Sequence, residues 1–308
     1  MADTLAEDLV AAFNALFGEH DGLRAVHAKG TCCAATFTAT PEAAALTRAP
    51  HMQGTPVRTT VRFSNGSGDP TAHDSGREPR GMAIKFHLDE RRSTDIVAIN
   101  QPTFVVRTPE EVLEFLRLRA PDPETGQPDI AGLIAFVQAR PESQRAAQLL
   151  VTGLPVASFL ETQYFPIHAF RFVAADGSER FAKYRISPDL GIRTLELDAA
   201  GQLERDYLKA DLLSRLADGP ASFTIHLRLA AEGDNPTDPT EEWTAGEELV
   251  AGRLEITGPV GDQEGGCETL LFDPTRLCDG IETSDDPVLN ARPRAYAVSS
   301  KKRAKTRR

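Results

Sequence analysis

The sequence predicts an α+β fold, a mostly antiparallel sheet with helices outside it. The first observation is element order: a helix, a run of strands, helices, more strands and a final helix, with no strict strand–helix alternation. The second is Asp176-Gly177 between two strand-like runs, which marks an antiparallel hairpin. The third is the lack of any Gly-x-Gly-x-x-Gly turn or internal repeat, which argues against a doubly wound nucleotide-binding sheet.

Over 4–18, Leu5, Leu9, Phe13 and Leu16 or Phe17 recur on one helical face. Residues 31–38 and 56–64 alternate and are rich in β-branched side chains, as strands are. The loop Asn65-Gly66-Ser67-Gly68-Asp69-Pro70 follows, then strands over Met82–Leu88 and Asp95–Ile99. Thr108 caps a helix with Pro109 at its first position, running to about Arg119. A Pro-rich loop over 120–130 leads into a helical stretch over 130–153. The hairpin strands are Phe170–Ala174 and Arg180–Ile186. A helix over Leu203–Leu216 ends near Gly219-Pro220, a strand covers Phe223–Leu229, and 231–247 is an acidic loop. A short strand covers Leu254–Thr257, and Ser284-Asp285-Asp286-Pro287 opens the last helix.

The chain has 308 residues, 41% of them hydrophobic and 26% charged, a globular composition. No stretch approaches the ~18 apolar residues of a membrane helix, and the acidic, amphipathic start lacks the form of a secretory signal. The expected location is the cytoplasm. The net charge is −11, but Lys301–Arg308 carries six basic residues and no acidic one, leaving 28 basic against 45 acidic elsewhere. An acidic body argues against a nucleic-acid groove, and the tail reads as a solvated, partly frayed terminus. Cys32, Cys33, Cys267 and Cys278 are too few for a disulfide scaffold and lack zinc-ligand spacing, so all four read as reduced structural thiols.

On the last helix, positions four and eleven apart return to one face, so Arg292, Tyr296 and Arg303 share a stripe. A positive charge one turn from a phenol favours the anion, which is a hard ligand for iron.

Four segments in order then resemble haem catalases. Arg24-Ala25-Val26-His27-Ala28-Lys29-Gly30 resembles the distal motif, and Val61-Arg62-Phe63-Ser64 the strand that follows it. Arg77-Glu78-Pro79-Arg80-Gly81-Met82-Ala83-Ile84-Lys85-Phe86 is similar to a family segment, and Arg292-x-x-x-Tyr296 to the proximal motif. The length and the Ser-Asp-Asp-Pro opening most resemble the small catalase-related peroxidases, the mini-catalase branch. The resemblance implies a catalase-like antiparallel β-barrel with surrounding helices enclosing a haem b pocket, one domain over 1–308 with 301–308 as a basic tail. It implies His27 as distal acid/base, Ser64 orienting its imidazole, and Tyr296 as axial ligand to the haem iron. It also implies Arg292 holding the phenolate, and Arg24, Arg62 and Arg303 on the haem propionates. The other six histidines read as satisfied core or surface residues.

The sequence departs from the family at named places. The slot of the distal asparagine falls on Ile99 when counted without a gap, and Asn100 follows, so either Asn100 serves or the pocket has an apolar wall. Phe104 and Val112 lie where the family places aromatic pocket residues, and Val112 would open more room. After Tyr296 only Arg303 keeps the family register.

The implied activity is a peroxidase using hydrogen peroxide or organic hydroperoxides and a small reductant, with some catalase activity. A hydroperoxide isomerase of the allene oxide synthase type is the alternative, although those enzymes carry threonine where Val26 stands. A non-catalytic haem-binding protein is a third reading, against which His27 argues. Neither membrane nor nucleic acid is an expected partner, no nicotinamide site is recognisable, and a homodimer is the expected assembly.

Overall fold

A computed structural model describes residues 2–307. Nine strands form one sheet: β1 (Gly30–Ala39), β2 (Val57–Asn65), β3 (Arg80–His87), β4 (Ser93–Ile99), β5 (Ala169–Val173), β6 (Glu179–Pro188), β7 (Ala221–Leu229), β8 (Glu248–Pro259) and β9 (Ile281–Thr283). Every pair is antiparallel, in the order β4-β3-β2-β1-β8-β7-β6-β5-β9.

The sheet curls into a half-barrel. Phe63 on β2 and Phe223 on β7 are three strands apart in the order, yet their ring centroids lie 6.1 Å apart. Phe37, Phe86, Phe172 and Tyr164 fill the same interior, all fully buried. Removing each such ring from water stabilises the fold by roughly 1.5–3 kcal/mol. The end strands approach without pairing. Asp95 N on β4 donates to Arg276 O, ahead of β9, at 3.0 Å, and Ile99 bridges Phe165.

The helices are α1 (Ala2–Phe17), α2 (Pro41–Leu46), α3 (Pro109–Arg119), α4 (Ile130–Gln138), α5 (Gln144–Thr152), α6 (Leu197–Gly201), α7 (Tyr207–Asp218) and α8 (Pro287–Thr306). Leu9 and Ala12 of α1 pack on Leu113 and Leu116 of α3, as the helical spacing requires. Thr108 and Glu111 form a reciprocal capping box at the start of α3. The helical stretch over 130–153 is two helices. Pro141 lacks the N–H needed to continue the first and disfavours helical backbone at Arg140. The hairpin is as expected, with Gly177 at φ 86°. Short α2, α6 and β9 carry no periodicity long enough to read.

Two sequence expectations are corrected. Cys32 and Cys267 form a disulfide across 235 residues, leaving Cys33 and Cys278 as free thiols. Spacing gave no sign of it, because only the fold brings β1 beside the single π-type turn Gln263–Cys267. The basic tail is not frayed: α8 continues to Thr306, Thr306 Oγ1 accepts from Gly22 N at 2.8 Å, and Arg303 is buried. No helix among the described residues is long and apolar enough to cross a membrane.

Candidate active site

His27 lies in the loop before β1 with φ 57°, the one non-glycine residue among those described with a left-handed backbone. Such a conformation costs of order 1–3 kcal/mol and persists only where the surroundings impose it. Here His27 O accepts from Arg62 Nη1 at 3.1 Å, and Ala28 N donates to Ser67 O at 3.1 Å. The imidazole Nδ1 lies 3.1 Å from Ser64 Oγ on β2. Gly81 on β3 makes room for this pair: a Cβ there would sit 2.7 Å from Ser64 Oγ and 2.9 Å from the His27 ring. Burial pushes the His27 imidazole down to about 3, and the positive charges of Arg62, Arg292, Arg24 and Arg80 add to the effect. The ring is therefore neutral across the physiological range.

Tyr296 faces the same space from α8. Its oxygen accepts from Arg292 Nε at 3.0 Å and also from Arg292 Nη2. Arg292 Nη1 lies 2.9 Å from His168 Nε2, and His168 Nδ1 lies 2.6 Å from Asp286 Oδ2. A guanidinium only donates, so Nε2 of His168 is the acceptor and Nδ1 carries the proton given to Asp286. Asp286 has a second task, because its Oδ1 caps α8 by accepting from Val288 N and Leu289 N at 2.8 and 3.1 Å. His168 and Asp286 are both buried.

Two adjoining cavities of about 140 and 260 Å³ both have His27, Tyr296, Phe13, Val26, Val97 and Ala295 in their walls. The smaller ends at Arg24, Arg62 and Arg303. The larger is walled by apolar side chains, Phe104, Val112, Phe115 and Phe165 among them. Together they make one slot with a cationic end and an apolar body.

At the cationic end, Glu268 bonds Arg24 and also Arg62 Nη2, the latter at 3.0 Å. Arg24 also donates to Leu270 O at 2.8 Å. Burial and the neighbouring Arg62 push the Arg24 guanidinium down to about 9, against the pull of Glu268. Burial likewise lowers Arg303. Gly30 makes room for the Arg62 guanidinium, whose central carbon would lie 2.4 Å from a Cβ there. Arg62 Nε is buried with no partner, and no salt bridge to Arg303 occurs among the described residues. One carboxylate thus stands among three buried or half-buried guanidinia. The donors left over suit a ligand carrying further carboxylates.

A model of the catalase family matches residues 2–307. The chain belongs to the catalase family. A catalase-related peroxidase of Mycolicibacterium paratuberculosis is 38% identical over 299 residues, covering 96% of this chain and 94% of that protein. A catalase-related peroxidase of Synechococcus elongatus is 34% identical over 303 residues, covering 97% and 88%. A solved fungal catalase superposes with a TM-score of 0.83 at 25% identity over 92% of this chain, which spans only 60% of that structure's length.

In this catalase-family chain the alternatives at the end of β4 separate. Ile99 lines the larger cavity. Asn100 is turned to β3, where its Oδ1 accepts from Arg80 N at 2.7 Å. Gln101 also lines the cavity. Phe104 and Val112 both line the cavity. Sequence reasoning missed Glu268 and left His168 among the bland histidines, since neither lies in a readable motif. Asp286 was visible as part of a helix start, but its contact with His168 was not.

Proposed function

We propose that this catalase-family chain is a haem b-dependent peroxidase that reduces organic peroxides and hydrogen peroxide, with some catalase activity. Family membership makes it an oxidoreductase acting on peroxide and implies a haem cofactor. One observation carries the finer reading: His27 and Tyr296 line a single slot whose body is apolar and whose far end holds three arginines. An apolar macrocycle with two carboxylates at one edge fits that slot. Arg62 and Arg303 have donors free for the carboxylates, and the Tyr296 oxygen is the hard ligand available to iron.

Haem, when bound, supplies an iron that takes oxidising equivalents from peroxide and passes them to a donor. The chain supplies the proton chemistry. With the proton of the neutral His27 ring on Nδ1, bonded to Ser64 Oγ, the Nε2 lone pair is available as the base. It takes a proton from one peroxide oxygen and returns it to the departing oxygen. Arg292 orients the phenol oxygen with two N–H bonds, and His168 and Asp286 hold Arg292 in turn. Ile99 and Val112 leave an apolar wall with room for an organic peroxide.

The test is an absorption spectrum of the haem-loaded chain, repeated on two variants. His27→Ala should keep the haem band and lose about 10²–10⁴-fold in peroxide consumption. Tyr296→Phe should bind haem weakly or through another ligand. Full peroxide consumption without His27, or an unchanged haem spectrum without the Tyr296 hydroxyl, overturns the assignments. Oxidation of a chromogenic donor with an alkyl hydroperoxide distinguishes peroxidase from isomerase or carrier.

A further inference from the structure

The segment between β8 and β9 walls the slot at its arginine end. Glu268 bonds Arg24 and Arg62, and Leu270, Leu271 and Phe272 line the cavity. Downstream, Asp95 fixes this wall to β4: its Oδ2 accepts from Asp273 N at 2.9 Å and from Arg276 Nη1 at 2.8 Å. Upstream, the Cys32–Cys267 disulfide fixes it to β1. Cys32 is the register partner of Arg62, so the bond ties the residue before Glu268 to the strand position opposite that arginine.

The other upstream restraints are non-covalent: Arg307 Nη2 donates to Glu264 O, Arg24 Nη2 donates to Cys267 O at 3.5 Å, and three bonds involve Cys32. Cys32 N donates to Gln263 Oε1 at 2.9 Å, Gln263 Nε2 donates to Cys32 O at 2.7 Å, and Val260 N donates to Cys32 O at 3.0 Å. The turn they hold contains Gly261, Gly265 and Gly266, none of them buried. Glycine gives such a turn wide backbone freedom once the covalent tie is gone.

We propose that Cys32 and Cys267 form a peroxide-closed clamp on the cofactor. Oxidised, the pair holds the Glu268 wall against Arg24 and Arg62 and retains a carboxylate-bearing macrocycle; reduced, it lets the wall move and the macrocycle leave. This rests on the haem reading given above. Closure begins when one thiolate attacks a peroxide oxygen. The O–O bond breaks, hydroxide leaves, and a sulfenic acid remains. The second thiol attacks that sulfur, the S–O bond breaks, and water leaves. Two thiols and one hydrogen peroxide give one disulfide and two waters. A dithiol reductant reopens the bond by supplying two electrons and two protons. Both sulfurs are buried in the closed form, so exchange occurs as the glycine turn swings out. Cys33 is no competitor, since burial in the core pushes its thiol up to about 12. Binding linkage works both ways: if the closed clamp tightens cofactor binding, bound cofactor stabilises the disulfide by the same factor.

The experiment uses the full chain loaded with haem, treated with hydrogen peroxide or with dithiothreitol and then desalted. Thiol titration of the denatured protein should give two free thiols after peroxide and four after reduction. Haem transfer to excess apomyoglobin should run about tenfold faster from the reduced chain, within the range coupled sites show. A Cys32→Ala/Cys267→Ala variant should release haem at the reduced rate whatever its treatment. Should that variant not fold, the wild-type pair of treatments carries the test alone, with a thermal melt showing that the reduced chain is folded. Four thiols after peroxide, or equal haem release in the two states, overturns the clamp and leaves the functional reading standing. A chain without haem absorption in either state overturns the functional reading and the clamp with it.

Discussion

Asp286 caps helix α8 with one carboxylate oxygen and holds the imidazole of His168 with the other, at 2.6 Å. The residue that starts the helix thereby fixes the ring that positions Arg292 against Tyr296, one turn further on. Asp286→Asn offers one oxygen and one NH₂ in place of two oxygens. If the oxygen keeps the cap, the NH₂ meets the Nδ1–H of His168, donor against donor. Such a buried mismatch costs ~1–3 kcal/mol. The expected outcome is a lower melting temperature together with a shifted haem spectrum. An unchanged spectrum would show that Arg292 does not depend on His168.

Gly81 admits the His27–Ser64 pair only because it lacks a Cβ. Gly81→Ala should push the imidazole off Ser64, while the strand pairing of β3 with β2 and β4 supports the backbone. Peroxide consumption should fall about tenfold or more, with the haem band retained. Activity equal to wild type would mean that the pair is not needed for turnover.

Ile99 gives the larger cavity an apolar side chain at the end of β4. Ile99→Asn adds a hydrogen-bonding group, worth ~0.5–1.5 kcal/mol, and removes apolar surface. The ratio of hydrogen peroxide turnover to cumene hydroperoxide turnover should rise by up to about tenfold. A constant ratio would mean that position 99 does not set peroxide preference.

His51 packs against Phe86, with ring centroids 4.7 Å apart, and burial pushes its imidazole down to about 4. Below about 6.5, the unfolded chain binds a proton at His51 that the folded chain refuses. Its contribution to stability is therefore whole above that pH and is lost as pH falls towards 4, roughly 3 kcal/mol in all. Melting temperature measured between pH 7 and 4 should fall, and less steeply for His51→Gln. Parallel slopes in the two proteins would remove His51 as a cause. His27 and His168 push in the same direction, because burial lowers both.

Local and periodic signals were readable from the chain. The helical spacing of Arg292 and Tyr296 is a property of four consecutive bonds, and the cap at Asp286 one of three residues. The alternation in β7 follows from one face meeting the interior, whereas β2 is buried on both faces from Val61 to Asn65. What stayed hidden needed two distant segments at once. Cys32 and Cys267 lie 235 residues apart, and nothing near either thiol names the other. Between Ile99 and Asn100, a strand edge decides which side chain faces the cavity. A one-residue change of register exchanges them, and register is set by the pairing of β4 with β3 and its bridge to Phe165.

By itself the sequence determined the fold class, the order of its longer elements and the two residue types, an imidazole and a phenol, at opposite ends of the chain. Only the tertiary structure decided that they share one slot, that Glu268 stands among the arginines at its end, and that a disulfide fixes the wall carrying it. The physical reason is range: propensity and periodicity act over a few residues, whereas packing and burial join segments that no local pattern relates.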